Sequence, residues 1–170
     1  LPDPTLFRSI EVAPQGTVLA GLRYEALKQS RTDLTPKNQN YARTDTPVSP
    51  RLGVVYHPVE PLSLYASYSR SFQPVADSFS VYPNSSALAP QSTTNYEIGA
   101  KYDVSANASL TAALFDMKQT NLTGVDPPTL LAVPIGTQRT RRLELPFTGE
   151  LGKPLSLISH PSFSHRRTRP

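Results

Sequence analysis

The stretch Leu62-Ser63-Leu64-Tyr65-Ala66-Ser67-Tyr68-Ser69-Arg70-Ser71-Phe72 decides the fold. Successive side chains of an extended strand point to opposite faces, so Leu62, Leu64, Ala66 and Tyr68 share one side and Ser63, Tyr65, Ser67, Ser69 and Ser71 the other. Asn95–Tyr102 repeats the scheme, with Tyr96, Ile98, Ala100 and Tyr102 opposed to Asn95, Glu97, Gly99 and Lys101. Arg51–Tyr56 does so too, with Leu52, Val54 and Tyr56 opposed to Arg51, Gly53 and Val55. Val18–Tyr24, Leu110–Leu114 and Leu143–Phe147 carry weaker versions. The first of these, with Leu19, Leu22, Ala26 and Leu27, fits an amphipathic helix equally well. The pattern predicts strands near 17–29, 48–57, 62–72, 91–102, 107–118 and 137–149.

Composition narrows what such strands can build. The chain has 170 residues, a single-domain length, but 18 are Pro and only 38% are hydrophobic, which is thin for a compact globule. The absence of Cys excludes a disulfide framework, thiolate metal sites and thiol nucleophiles. A net charge of +4 permits phosphate-bearing partners without demanding them. No apolar run approaches the roughly 18 residues of a spanning helix. The opening Leu1-Pro2-Asp3-Pro4 has neither an initiator Met nor a leader, and reads as a fragment or processed piece.

The connections say more than the strands. Short, turn-like links fall at Ala13–Gly16, His57–Pro61, Asp103–Asn107 and Gly152–Pro154, with Pro, Gly, Asn or Asp where tight turns want them. Between them lie polar, Pro-rich links at Ser30–Pro47, Gln73–Pro90 and Gln119–Gly136. A compact soluble sheet seldom tolerates three structureless loops of about 18 residues. Short and long links in alternation, joined to strands with one apolar and one polar face, are what an outer-membrane β-barrel shows. The expected fold class is all-β: an antiparallel meander forming part of a transmembrane β-barrel, whose apolar face is convex and uncovered. Tyrosines support it. Tyr56 and Tyr102 lie beside short turns, while Tyr24, Tyr68 and Tyr96 lie farther along their strands, on the order of 15–18 Å higher at a barrel's tilt. Those two heights are where a barrel places its aromatic girdles.

Ala20-Gly21-Leu22-Arg23-Tyr24, Ser49-Pro50-Arg51-Leu52-Gly53-Val54-Val55-Tyr56, the Leu62–Phe72 stretch, Tyr96-Glu97-Ile98-Gly99-Ala100-Lys101-Tyr102, Ala113-Leu114-Phe115-Asp116 and Thr120-Asn121 stand in an order that resembles TonB-dependent siderophore receptors of the ferrichrome type. The resemblance runs over roughly residues 10–158. It implies about 6–7 strands of a 22-stranded barrel, in a family whose barrel is plugged by an N-terminal domain and imports ferric siderophores on energy from the TonB system. It thus implies a place in the bacterial outer membrane, a ferric siderophore as transported ligand, no resident cofactor, and lipid and lipopolysaccharide as neighbours. TonB would be reached only through a plug and coupling box that this sequence lacks, so the chain alone is not expected to transport. Residues 1–158 are expected to be the barrel portion and 159–170 a tail outside the family, disordered and unpaired. Where the family commonly has Gly, this sequence has Arg142, and Pro146 interrupts the same strand. The Arg-rich run after Pro161 reads as a shifted frame or a damaged gene.

Sites of covalent chemistry are not indicated. His57, His160 and His165 share no ligand spacing with carboxylates. Glu97 and Glu144, on polar strand faces, read as solvated lumen residues or as partners for Lys101 and Arg51, not as an acid/base pair. No nucleophile elbow or phosphate loop is present, so the chain does not read as an enzyme. The basic patches Arg139/Arg141/Arg142 and Arg166/Arg167/Arg169 come without a recognition helix or aromatic sheet motif, which excludes nucleic acid as the reading. Arg139 and Arg141, beside a long link, are instead candidates for contact with lipopolysaccharide phosphates. Tyr41, Phe79 and Tyr82, on two long links, are candidates to line an entrance for an aromatic iron chelate. The alternative from another class is a secreted β-sandwich that binds glycan or protein, in which a second sheet would cover the apolar face.

Overall fold

The structure, a computed structural model, describes residues 5–32, 34, 40–74, 88–150 and 156–169, with Arg31 and Tyr41 described by backbone alone. All regular structure among these residues is strand: β1 Thr5–Ala13, β2 Gly16–Tyr24, β3 Leu27–Arg31, β4 Tyr41–Asp45, β5 Val48–Val59, β6 Leu62–Gln73, β7 Gln91–Ser105, β8 Ala108–Val125, β9 Ala132–Glu144, β10 Phe147–Glu150, β11 Ser156–Ser159 and β12 Ser162–Arg169. Pairing is antiparallel and in chain order, β1-β2-β5-β6-β7-β8. The β3–β4 hairpin continues the β2–β5 pair, tied to it where the Glu25 amide donates to the Pro47 carbonyl at 3.1 Å. The helix that Leu19–Leu27 also allowed does not form: every residue of Gly16–Tyr24 pairs with β5.

At the far side of the sheet two strands are each broken in two at a proline. The far part of β8 pairs with β9 and its near part with β10, the break falling at Leu145–Pro146. In the next line, β12 pairs with β9 and β11 with β10, the break falling at His160–Pro161. Proline lacks the donor a ladder needs, but both carbonyls stay in use: Pro146 accepts from the Thr111 amide at 2.9 Å and Pro161 from the Leu145 amide at 3.1 Å.

Two expectations are corrected here. The unpaired tail over 159–170 is instead strand from Ser162 to Arg169, in register from Ser162↔Glu144 to Arg169↔Thr137. The run does alternate. Phe163, His165, Arg167 and Arg169 take one face and Ser162, Ser164, Arg166 and Thr168 the other, a pattern hidden because Arg stands on both. The long link Gln119–Gly136 is also mostly strand. β8 runs to Val125 and β9 starts at Ala132, across bulges near Asn121, which has φ 57°. The turn between them is closed by Leu130 N–H to the Asp126 carbonyl at 2.8 Å and Asp126 N–H to the Leu131 carbonyl at 2.9 Å. Thr129 Oγ1 donates to the Asp126 carboxylate at 2.6 Å. The turns at Pro14–Gln15, Glu60–Pro61 and Ala106–Asn107 fall within the expected short links, whereas 151–155 lie outside the described residues.

The two faces of the sheet differ in kind. One row crosses it as Ile10, Val18, Val54, Ala66, Ile98, Leu114, Leu143 and Phe163, each the register partner of the next. It is apolar at every strand. One residue along, on the opposite face, the row reads Ser9, Leu19, Gly53, Ser67, Glu97, Phe115, Arg142 and Ser164. The apolar row is uncovered: Val54 is 46% exposed, Ile98 57%, Leu114 52% and Phe163 66%. Buried hydrophobic residues among those described are only Leu88, Ala113 and Ala132. Among the described residues no second sheet packs on the apolar face, as the sandwich alternative would need, since the β3–β4 hairpin lies beyond the β2–β5 pair.

Candidate functional site

Side chains on the polar face are linked both across strands and along them. The Tyr65 side chain lies beside the Glu97 carboxylate of the neighbouring strand, and the Tyr65 ring is so close over Gly99 that a Cβ there would sit 2.5 Å from it. Glycine opposite an aromatic ring lets the ring lie flat against the sheet. Arg142 pairs with Glu144 at 2.7 Å and Lys101 with Asp103 at 2.9 Å. Glu144 is thus partnered by Arg142 and not by Arg51, and Lys101 by Asp103 and not by Glu97.

The apolar face changes along its strands. Nearest the short turns lie Leu62, Tyr102 and Leu110, which are register partners, and then Tyr56 with Leu64 and Ala100. The wholly apolar row follows. Beyond it comes a row of Leu52, Tyr68, Tyr96, Asp116, Arg141 and His165. Tyr68 and Tyr96 are in contact, with ring centroids 5.1 Å apart. Tyr24, opposite Val48, stands farther still from the short turns, so it shares the side of this pair but not its level. The next row holds Arg70, Thr94, Lys118, Arg139 and Arg167. From Leu110, level with Tyr102, to Lys118 along β8 the rise is about 20 Å at a 40° tilt.

Arg139 and Arg141 therefore stand on the apolar face, at its far end. Both are held by Asp116: Arg139 grips the carboxylate with Nε at 2.7 Å and Nη2 at 2.5 Å, and Arg141 Nε reaches it at 3.2 Å. A planar guanidinium matches a carboxylate in this two-pronged way. Sequence reasoning missed that Lys118, His165, Arg167 and Arg169 join them. Phase along β8 would have found Lys118, and the alternation of residues 162–169 the other three.

Of the chelate candidates, Tyr41 opens β4 at the long-link end of the sheet, while Phe79 and Tyr82 lie outside the described residues. That end is well tied. Arg43 pairs with Asp45 at 2.8 Å and also donates to the Leu88 carbonyl. Asn121 Nδ2 donates to the Pro90 carbonyl at 2.9 Å. No cluster of three potential metal ligands is found among the described residues.

An antiparallel sheet with an uncovered apolar face, a polar opposite face and tyrosines toward both ends of the apolar band defines part of the wall of a membrane β-barrel. Comparison with known proteins agrees. The profile of the TonB-dependent receptor-like β-barrel family matches residues 8–168, and the chain belongs to that family. The match takes in the run after Pro161, which corrects the expected family limit at 158. The chain is 30% identical over 140 residues to the ferrioxamine receptor of Yersinia enterocolitica, covering 81% of this chain and 19% of that protein. It is 27% identical over 156 residues to a metal-pseudopaline receptor of Pseudomonas aeruginosa, covering 88% and 22%. Among solved structures, the ferric-catecholate import receptor Fiu of E. coli superposes with a TM-score of 0.75 at 18% identity, over 98% of this chain and 27% of that one. The alcaligin receptor FauA of Bordetella pertussis does so with 0.74 at 20%, over 96% and 29%. The chain thus spans about a fifth of the length of these curated relatives. Its family is one of outer-membrane receptors.

Proposed function

We propose that this chain is part of the wall of an outer-membrane receptor for ferric siderophore uptake. The observation that carries the reading is the row from Ile10 to Phe163, apolar at every strand and uncovered, which has a physical use only against lipid or a partner of equal breadth. The ferrioxamine receptor and the other siderophore receptors to which the chain is similar supply the ligand class. Binding followed by plug movement would carry the iron, with no covalent step, and TonB would act through the plug. The strands described here leave β1 at one edge of the sheet and β11 with β12 at the other, so a closed path needs further strands. The short turns would face the periplasm and the long links the outside. Tyr41, Phe79 and Tyr82 would then meet the arriving chelate, and Arg139 and Arg141 the phosphates of lipopolysaccharide. The test is uptake of radiolabelled ferric siderophores by iron-starved cells before and after deletion of the gene that encodes this chain. Loss of uptake for one siderophore, restored by the intact gene, supports the reading; unchanged uptake across a panel that includes ferrioxamine overturns it.

A further inference from the structure

The far end of the apolar face holds two adjoining depressions that share Arg141 and His165. One, of about 460 Å³, is walled by Lys118, Arg139, Arg141, Arg167 and Arg169. The other, of about 640 Å³, lies on the turnward side and is floored by Tyr96, Ile98, Leu114, Leu143 and Phe163. Asp116 is a carboxylate on this face that lines the apolar depression, and both its oxygens are engaged by Arg139, with Arg141 alongside. The side chains of Lys118, Arg167 and Arg169 make no ion pair or hydrogen bond among the described residues. Cations set this close together repel one another unless an anion lies between them.

We propose that the cationic depression is a seat for a phosphate group on the head of a membrane lipid, whose acyl chains lie on the apolar depression beside it. The inference rests on the reading of this face as lipid-facing and deepens it: β12, through Arg167, Arg169 and Phe163, completes the seat on both its polar and its apolar side. Guanidinium groups offer paired donors to phosphate oxygens, and Asp116 presets two of them by fixing the Arg139 and Arg141 planes. A free phosphate would satisfy the cations but leave the apolar floor bare. A phosphorylated lipid satisfies both at once.

The test is binding of the full chain to phosphatidylcholine vesicles with and without diphosphoryl lipid A, followed by flotation. Arg167→Gln/Arg169→Gln is the main variant, since neither side chain has a partner among the described residues whose loss would unsettle the fold. Arg8→Gln/Arg51→Gln, distant from the seat, matches its charge change. The expected result is equal binding of all three proteins to neutral vesicles. The parent and the Arg8/Arg51 variant gain from lipid A, whereas the Arg167/Arg169 variant binds those vesicles about tenfold more weakly. An equal loss in both variants would reduce the effect to net charge and overturn the proposal. So would abolition of the preference by millimolar inorganic phosphate, which would make the site one for a free anion. Equal binding of the parent to both vesicle types would overturn the seat while leaving the membrane reading intact. Failure of the parent to bind any vesicle would overturn the membrane reading, and the seat with it.

Discussion

The sector β5–β7 and the sector β8–β9–β12 belong to one sheet and one register, yet they meet the upper boundary of the apolar band differently. In the first, the row above Val54, Ala66 and Ile98 is Leu52, Tyr68 and Tyr96, with the tyrosine rings in contact, followed by Arg70 and Thr94. In the second, the row above Leu114, Leu143 and Phe163 is Asp116, Arg141 and His165, followed by Lys118, Arg139 and Arg167. Aromatic and cationic side chains both suit an interface, the first by an apolar body with a polar tip, the second by long stems that let the charge reach water or phosphate. What fixes a strand in such a sheet is its pairing and its phase, and the chemistry of the residue at the boundary is free to change.

The largest expected effect falls on the row the two sectors share. Ile98→Arg should cost about 2–4 kcal/mol of folding stability in phospholipid vesicles, the toll of a cation near the middle of the band, whereas Glu97→Arg on the opposite face should cost far less. Urea titration of the two variants reads the difference, and equal costs would erase the distinction between faces. Next comes β12. Removing residues 160–170 should free one side of β9 and lower the local opening energy of Thr137–Glu144 by about 2 kcal/mol, a roughly thirtyfold faster amide exchange, with β5–β7 unchanged. Exchange monitored by mass spectrometry reports it, and an unaltered β9 would mean that β12 does not pair there.

Two smaller effects sharpen the contrast on either side. Gly99→Ala should cost about 1 kcal/mol, because the new Cβ displaces the Tyr65 ring. Most of that should vanish on a Tyr65→Ala background, and a double-mutant cycle measures the coupling. Asp116→Asn should cost about 0.2–1 kcal/mol, since the carboxylate and both arginines are partly exposed, and less in high salt. Gly99 thus tests packing in the first sector, and Asp116 charge in the second.

The same contrast explains what could be read from sequence. β5, β6 and β7 are plain because one face is Leu, Val, Ile, Ala or Tyr and the other is mostly Ser, Asn, Glu, Lys, Arg or Gly, with only Val55 and Tyr65 against the period of two. β12 was opaque because Arg166 and Arg167 stand on opposite faces, and a test of polarity does not separate two arginines. Its partner was hard to see for a related reason: Arg139, Arg141 and Arg142 span both faces of β9, and Pro146 hides the continuation into β10. The turn at 126–131 hides within a long link, since Asp126-Pro127-Pro128 looks like a loop. In the fold it is the tip of a hairpin whose strands run past the apolar band. The cationic cluster depended on all three and so emerged only from register. Of the chelate candidates only the strand position of Tyr41 is described.

The central claim, that one face from Ile10 to Phe163 meets lipid, is tested most directly by its period. The chain has no Cys, so single-cysteine variants need no cleaned background. Ile98→Cys, Leu114→Cys, Leu143→Cys and Phe163→Cys, set against Glu97→Cys, Phe115→Cys, Arg142→Cys and Ser164→Cys, can each carry a nitroxide in vesicles. Collision with dissolved oxygen should then be compared with collision with a water-soluble nickel chelate. The account predicts oxygen-rich, nickel-poor labels at 98, 114, 143 and 163 and the reverse at 97, 115, 142 and 164, with one phase carried from β7 through β12. Equal accessibility on both faces, or a reversal of phase between positions 143 and 163, would contradict it.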